Sequence, residues 1–179
     1  TRLTNDANAA AMGEMIFGCA KGCKHFITIT LGTGVGSGIV IDGNMVVGHD
    51  GFAGELGHTI IRPGGRLHKS TGMKGSLEAY ASATGVRDTA IEMLQVHPEE
   101  DSLLRNYSLN DLTSQTVYEC AMQGDKVANE IFEFTGEILG ESLANFVMFS
   151  SPEKIVLFGG LTKAGDLLMK PTRKAMEAN

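Results

Sequence analysis

The feature that most restricts what this chain can fold into is a glycine-rich run, Gly32-Thr33-Gly34-Val35-Gly36-Ser37-Gly38, set between two apolar stretches rich in β-branched residues. Residues 25–31 (HFITITL) precede it and residues 39–41 follow it, and such runs favour strands. Because a strand rather than a helix comes next, the run is not a dinucleotide-binding fingerprint. Without a following Gly-Lys-Ser/Thr it is not a Walker A loop either. Two readings remain: a plain glycine hairpin, or a cradle in which backbone amides converge on anionic oxygens without side-chain collision. Asp42-Gly43-Asn44 has hairpin-turn chemistry and leads to a third short strand at 45–47, so a small meander is predicted.

Upstream, residues 7–21 are Ala-rich and flanked by Asn5-Asp6 and Gly22, which predicts a helix with capping residues at its start. Eight glycines between 48 and 75 break any long periodicity, apart from a predicted strand around 58–61, and make this stretch a candidate binding loop. Helical patterns cover 76–82, 84–96, 113–122 and 126–149. In the last of these Val127, Ile131, Phe134, Ile138, Leu139, Leu143 and Phe146 fall on one stripe that reads as core. The polar segment 97–111 reads as a surface excursion. A strand at 155–158, a turn at Gly159-Gly160 and a helix at 166–177 complete an α/β layered domain.

Composition narrows the function classes. With 42% hydrophobic and 20% charged residues, the 179-residue chain has the balance of a folded soluble protein and length for one substantial core. A net charge of -6 with scattered basic residues gives no nucleic-acid face. No apolar run approaches the ~20 residues that span a bilayer. Three cysteines, Cys19, Cys23 and Cys120, make no disulfide framework and read as reduced thiols in a cytoplasmic protein. The opening residues, Thr-Arg-Leu-Thr-Asn-Asp, read as a strand running into a helix, so an upstream piece is expected.

Three constellations carry possible chemistry. Asp6 at a helix start is held ionised by the helix dipole and can accept a proton, or it is simply a cap. The glycine run is a phosphate cradle or a hairpin. Gly54-Glu55-Leu56-Gly57-His58 with Glu78 supplies acceptors and a switchable donor suited to sugar hydroxyls, although Glu78 alone reads as a first-turn charge and His58 as a strand histidine.

Taken together and in order, Asn5-Asp6-Ala7-Asn8, Leu31 through Gly38, Gly51-Phe52-Ala53-Gly54-Glu55-Leu56-Gly57-His58, Gly75-Ser76-Leu77-Glu78-Ala79-Tyr80-Ala81-Ser82 and Ile155-Val156-Leu157-Phe158-Gly159-Gly160 resemble the ROK family (repressor, open reading frame, kinase). The resemblance implies an actin-like, two-lobed sugar kinase fold, with residues 1–179 forming the larger C-terminal lobe, a mixed sheet flanked by helices. It implies ATP-dependent phosphorylation of a hexose, glucose being favoured, with ATP and Mg²⁺ as cosubstrate and ion. Asp6 is the implied general base; Asn5, Asp6, Glu55, His58 and Glu78 are the implied sugar contacts. Gly32, Thr33 and Gly34 are the implied second phosphate loop, and Gly159 with Gly160 the implied turn at adenosine. A homodimer is compatible with it.

Two departures from the family pattern stand out. Most ROK proteins carry a cysteine cluster that binds zinc with the histidine, but the corresponding positions here are Lys69, Thr71 and Ser76, which are poor ligands. No structural zinc is expected, nor one rebuilt from His58 and His68. The acidic, glycine-rich first phosphate loop is also missing, so this chain alone is expected to be inactive. The alternative function is a sugar-sensing ROK-type transcriptional repressor whose DNA-binding part lies outside this chain. A structural α/β domain with coincidental glycines would have to explain the whole ordered set.

Overall fold

Strand β1 (Phe26–Leu31) alternates, and its alternation decides how the molecule is layered. Ile27, Ile29 and Leu31 join the main apolar core, whereas Phe26 joins a smaller cluster on the opposite face together with Ala11, Ala20, Val40 and Val156. The structure, a computed structural model, describes residues 6–179. In it β1 lies inside a mixed four-stranded sheet of order β3-β2-β1-β4. Strands β2 (Val35–Ile41) and β3 (Asn44–Met45) continue it antiparallel, and β4 (Lys154–Phe158) pairs with β1 in parallel.

Helix α1 (Asp6–Ile16) covers the Phe26 face. It can do so because the glycines of the run belong to β2 and not only to the turn before it. A Cβ on Gly38 would stand 2.8 Å from Ala11 Cβ, and one on Gly36 would stand 3.0 Å from Ala7 Cβ. Small residues on both elements let the helix lie close to the sheet. Strand β2 therefore begins earlier than predicted, at Val35.

The other face carries α2 (Glu78–Ala81), α3 (Ala83–Val96), α4 (Ser114–Met122), α5 (Lys126–Ser150) and α6 (Asp166–Ala178). The α5 stripe is buried as predicted except at Phe134, which is partly buried against the core. Its Gly136 and Gly140 accept α6 at close range: a Cβ on Gly140 would stand 2.7 Å from Ala175 Cβ. Ser82, Thr113 and Asp125 cap α3, α4 and α5 by accepting amide N–H bonds, which satisfies donors that each helix start leaves open.

Other stretches depart from the sequence reading. Helix α1 ends at Ile16 rather than near 21, since the Glu14 side chain folds back to accept the Cys19 N–H at 2.9 Å. The strand predicted around 58–61 is a 3₁₀ turn, Leu56–His58, followed by a single bridge from Ile60 to Ser76. The segment at 97–111 is no free excursion: a 3₁₀ turn, Leu103–Asn106, plugs Leu104 into the core, with Leu112 buried just beyond it. Cys19, Cys23 and Cys120 are unpaired. Burial pushes the Cys120 thiol up.

Two measurements check this layering. Gly38→Val is expected to push α1 off the sheet and cost about 1–3 kcal/mol of stability in urea unfolding, the range for overpacked contacts. Glu153 joins the start of β4 to β1 by accepting N–H bonds from Lys24 at 2.9 Å and His25 at 3.0 Å, which lower its carboxyl pKa. A depressed folded pKa stabilises above the ordinary carboxylate range and ceases to do so as pH falls through the depressed value. Glu153→Gln is therefore expected to lose stability near neutrality and to show a shallower acid decline than the parent.

Candidate functional site

The carboxyl ends of the parallel pair β1 and β4 open onto a hollow of about 600 Å³, a size suited to a small molecule. Its walls come from five separate stretches. Asp6, Ala7 and Ala10 come from α1; Thr30 is the penultimate residue of β1; Gly32, Thr33, Gly34, Val35 and Gly36 form the turn and the start of β2. Glu55 and His58 come from the glycine-broken loop, Glu78 from the start of α2, and Phe158 with Gly159 from the end of β4.

Each wall residue has a local reason for its place. Asp6 is the first residue of α1, exposed, with its Oδ1 accepting the Ala7 N–H at 2.8 Å. The turn is fixed on both sides: Gly32 N–H donates to the Gly34 carbonyl at 3.0 Å, and the Gly32 carbonyl accepts from Ala83 N–H at 2.8 Å. The Thr84 hydroxyl holds the Thr33 carbonyl at 3.0 Å. Gly57 must be glycine, since a Cβ there would collide with the Val35 carbonyl. That close approach sets the loop against β2, reinforced by Leu56 N–H donating to Ser37 Oγ at 2.8 Å.

Glu78 is anchored by an amide and faced by two imidazoles. Its Oε2 accepts the Val35 N–H at 2.7 Å, and its Oε1 lies 3.2 Å from His68 Nε2 and 3.8 Å from His58 Nε2. Gly34 passes beside this carboxylate, where any Cβ would strike it.

Of the residues singled out in the sequence, Asp6, Glu55, His58, Glu78, Gly32, Thr33, Gly34 and Gly159 thus line one hollow. Gly159 has φ 109°, and a Cβ there would stand 2.6 Å from the Leu31 carbonyl, so the chain leaves β4 by a route that only glycine takes comfortably. Gly160 does not line this hollow; it faces a smaller one beside Ser114, Tyr118 and Phe132. Asn5 lies outside the described residues. Sequence reading missed Thr30 and the pairing of His68 with Glu78. Thr30 had a readable signal, being a polar β1 residue on the same side as the glycines; His68 had none, because its reach depends on a hairpin built from distant contacts.

The sheet order and the hollow define an α/β domain with a ligand-sized site beyond the ends of its parallel strands. The ROK family model matches residues 1–179, and the chain belongs to the ROK family. It is 42% identical over 174 residues to a glucokinase of Halalkalibacterium halodurans, covering 97% of this chain and 53% of that protein. The crystal structure of a ROK family glucokinase from Streptomyces griseus, in complex with glucose and AMPPNP, superposes with a TM-score of 0.86 at 35% identity, covering 98% of this chain and 57% of that one. The N-acetylglucosamine repressor of Escherichia coli O157:H7 is 30% identical over 166 residues, covering 92% of this chain and 39% of the repressor. The chain thus spans about half the length of the glucokinases it matches. The fold is that of the ROK glucokinases, an actin-like α/β architecture.

The zinc cluster that the family implies does not fit the residues present. At the cysteine positions Lys69 offers an ammonium, and the Thr71 hydroxyl is already bonded to His68 Nδ1 at 2.9 Å. The Ser76 hydroxyl is fully buried and has no hydrogen-bond partner among the described residues. An unsatisfied buried hydroxyl costs about 1–3 kcal/mol. Ser76→Ala is therefore expected to unfold at the same or a higher urea concentration than the parent, the reverse of the usual loss on truncating a core side chain.

Proposed function

We propose that the full-length protein transfers the terminal phosphoryl group of ATP, delivered as its Mg²⁺ complex, to a hydroxyl of a hexose, with glucose the favoured acceptor. The observation that carries this reading is the convergence of Asp6, Glu55, His58, Glu78 and the 32–34 turn on a single hollow. In this reading Glu55, Glu78 and His58 accept and donate hydrogen bonds to sugar hydroxyls and so orient the ring. Asp6, at the start of α1, takes the proton from the attacking hydroxyl as its oxygen bonds to phosphorus and ADP departs. In this reading the turn at Gly32-Thr33-Gly34 meets the phosphates and the bend at Gly159-Gly160 meets the adenosine. Phosphoryl transfer asks mostly for alignment and charge stabilisation, which a rigid hollow with one well-placed base supplies. Residues 1–179 then form the C-terminal lobe of a two-lobed kinase and are inactive alone.

Similarity to glucokinases, one of them crystallised with glucose and an ATP analogue, supports the kinase reading. A sugar-sensing repressor is the second reading, favoured by the 30% identity to the N-acetylglucosamine repressor. A panel of hexoses and N-acetylated hexosamines with ATP separates the two: the kinase reading expects glucose phosphorylation by the full-length protein and none by residues 1–179. Asp6→Asn is expected to lower kcat by about 10²- to 10⁴-fold while leaving glucose binding largely intact, the scale of a lost general base. An unchanged rate in that variant removes Asp6 from the mechanism. Sequence-specific DNA binding that sugar relieves, without phosphorylation, replaces the kinase with the repressor.

A further inference from the structure

Residues 61–75, within the glycine-rich stretch, fold into a hairpin. Ile61 and Arg62 N–H both donate to the Gly75 carbonyl, Gly75 N–H returns to the Arg66 carbonyl at 2.8 Å, and His68 N–H donates to the Met73 carbonyl at 2.8 Å. Two-stranded hairpins this small are marginal on their own, so something must hold it against the body of the molecule. The cysteine positions of the metal cluster that the family implies carry no suitable donors here, and the hairpin's docking instead runs through one guanidinium.

The Arg66 side chain is 8% exposed. One terminal nitrogen donates to the Ala79 carbonyl at 2.7 Å and the Gly85 carbonyl at 3.1 Å, which joins the ends of α2 and α3. The other donates to Thr89 Oγ1 at 2.9 Å and Glu92 Oε2 at 2.6 Å, while Nε reaches Glu92 Oε1 at 2.8 Å, a two-pronged carboxylate pair. Its guanidinium carbon lies 4.6 Å from the centre of the Tyr80 ring, and the Tyr80 hydroxyl accepts the Arg66 N–H at 2.7 Å. Every donor of the fork is thus directed at α2 or α3. Two residues further along the hairpin, His68 reaches the carboxylate of Glu78, the residue preceding the Ala79 carbonyl that Arg66 holds.

We propose that Arg66 is the positioning residue of the sugar site: in place of a metal, it clamps the 61–75 hairpin to α2 and so keeps His68 on Glu78 and Glu78 aimed into the hollow. The sugar part of this statement rests on the kinase reading; the clamp itself does not. Lysine cannot replace arginine here, because a point charge with three rotatable donors cannot span two carbonyls and a carboxylate at fixed angles.

The test uses the full-length protein and its Arg66→Met, Arg66→Lys and Glu92→Gln variants. Expected are a rise of about ten- to hundredfold in KM for the hexose in both Arg66 variants, without rescue by lysine, and a smaller rise in Glu92→Gln. KM for ATP stays within about twofold, a split that general loss of stability does not produce. Amide exchange at His68, Gly72 and Gly75 accelerates in the variants and is unaffected by chelators in the parent. If Arg66→Met does not fold, Glu92→Gln and Arg66→Lys carry the same comparison. Hexose KM within about twofold of the parent in every variant overturns the proposal, as does one tightly bound zinc per chain whose removal reproduces the amide exposure. Should the parent phosphorylate no hexose, the kinase reading fails, and amide exchange with metal content still decides the role of Arg66.

Discussion

The candidate site depends on one carboxylate. Glu78 accepts the Val35 amide at the end of the glycine turn and faces His68 from the hairpin and His58 from the glycine-broken loop. These four residues come from four separate stretches of the chain, and only 13% of the Glu78 side chain is exposed. A hydrogen bond from an amide to a charged acceptor contributes about 1.5–3 kcal/mol, more than a neutral bond, and shielding from water strengthens it. The bareness of the turn at Gly34 follows from the same contact. Gly34 has to be bare because the carboxylate occupies the space where its Cβ would go.

A second set of bare positions works on the opposite face of the sheet and has a different cause. Gly36 and Gly38 make room for Ala7 and Ala11, so the Ala-rich helix sits low on β2 and its first residue, Asp6, reaches the rim of the hollow. One glycine run therefore serves two purposes. Its first half turns the chain past Glu78, and its second half beds the helix that presents the acid. A larger residue at Gly34, Gly36 or Gly38 would press on an acidic wall of the same cavity.

How far the sequence disclosed this can be judged residue by residue. Strand β1, the α5 stripe and β4 were legible because each is a run whose periodicity is dictated by burial on known faces. The extent of β2 was not, since glycine lowers strand propensity and nothing local says that a helix will lie across it. The site was legible as a set of motifs in order: Asp6, Glu55, His58 and Glu78 are separated in the chain yet share one hollow. Hidden were the contacts made by long side chains over long distances. No local sequence pattern marks Arg66, and its burial among carbonyls of α2 and α3 follows from tertiary packing alone. His68 was dismissed with the zinc it did not complete, although its place on Glu78 needs no metal.

The charge of the hollow bears on what it can hold. Asp6, Glu55 and Glu78 line it, and no Lys or Arg among the described residues does. Two like charges 4 Å apart repel by about 1 kcal/mol in water and about 4 kcal/mol at the effective dielectric near a protein surface. A bare polyphosphate would meet that repulsion from several acids at once. A neutral polyol, by contrast, offers hydroxyl donors to the same carboxylates and pays no such cost. A nucleotide triphosphate is tolerable here when a divalent cation screens it and when backbone amides, which carry no opposing full charge, form its nearest wall. The arrangement of acids with glycines in one cavity therefore favours a neutral, hydroxyl-bearing ligand over a free anion.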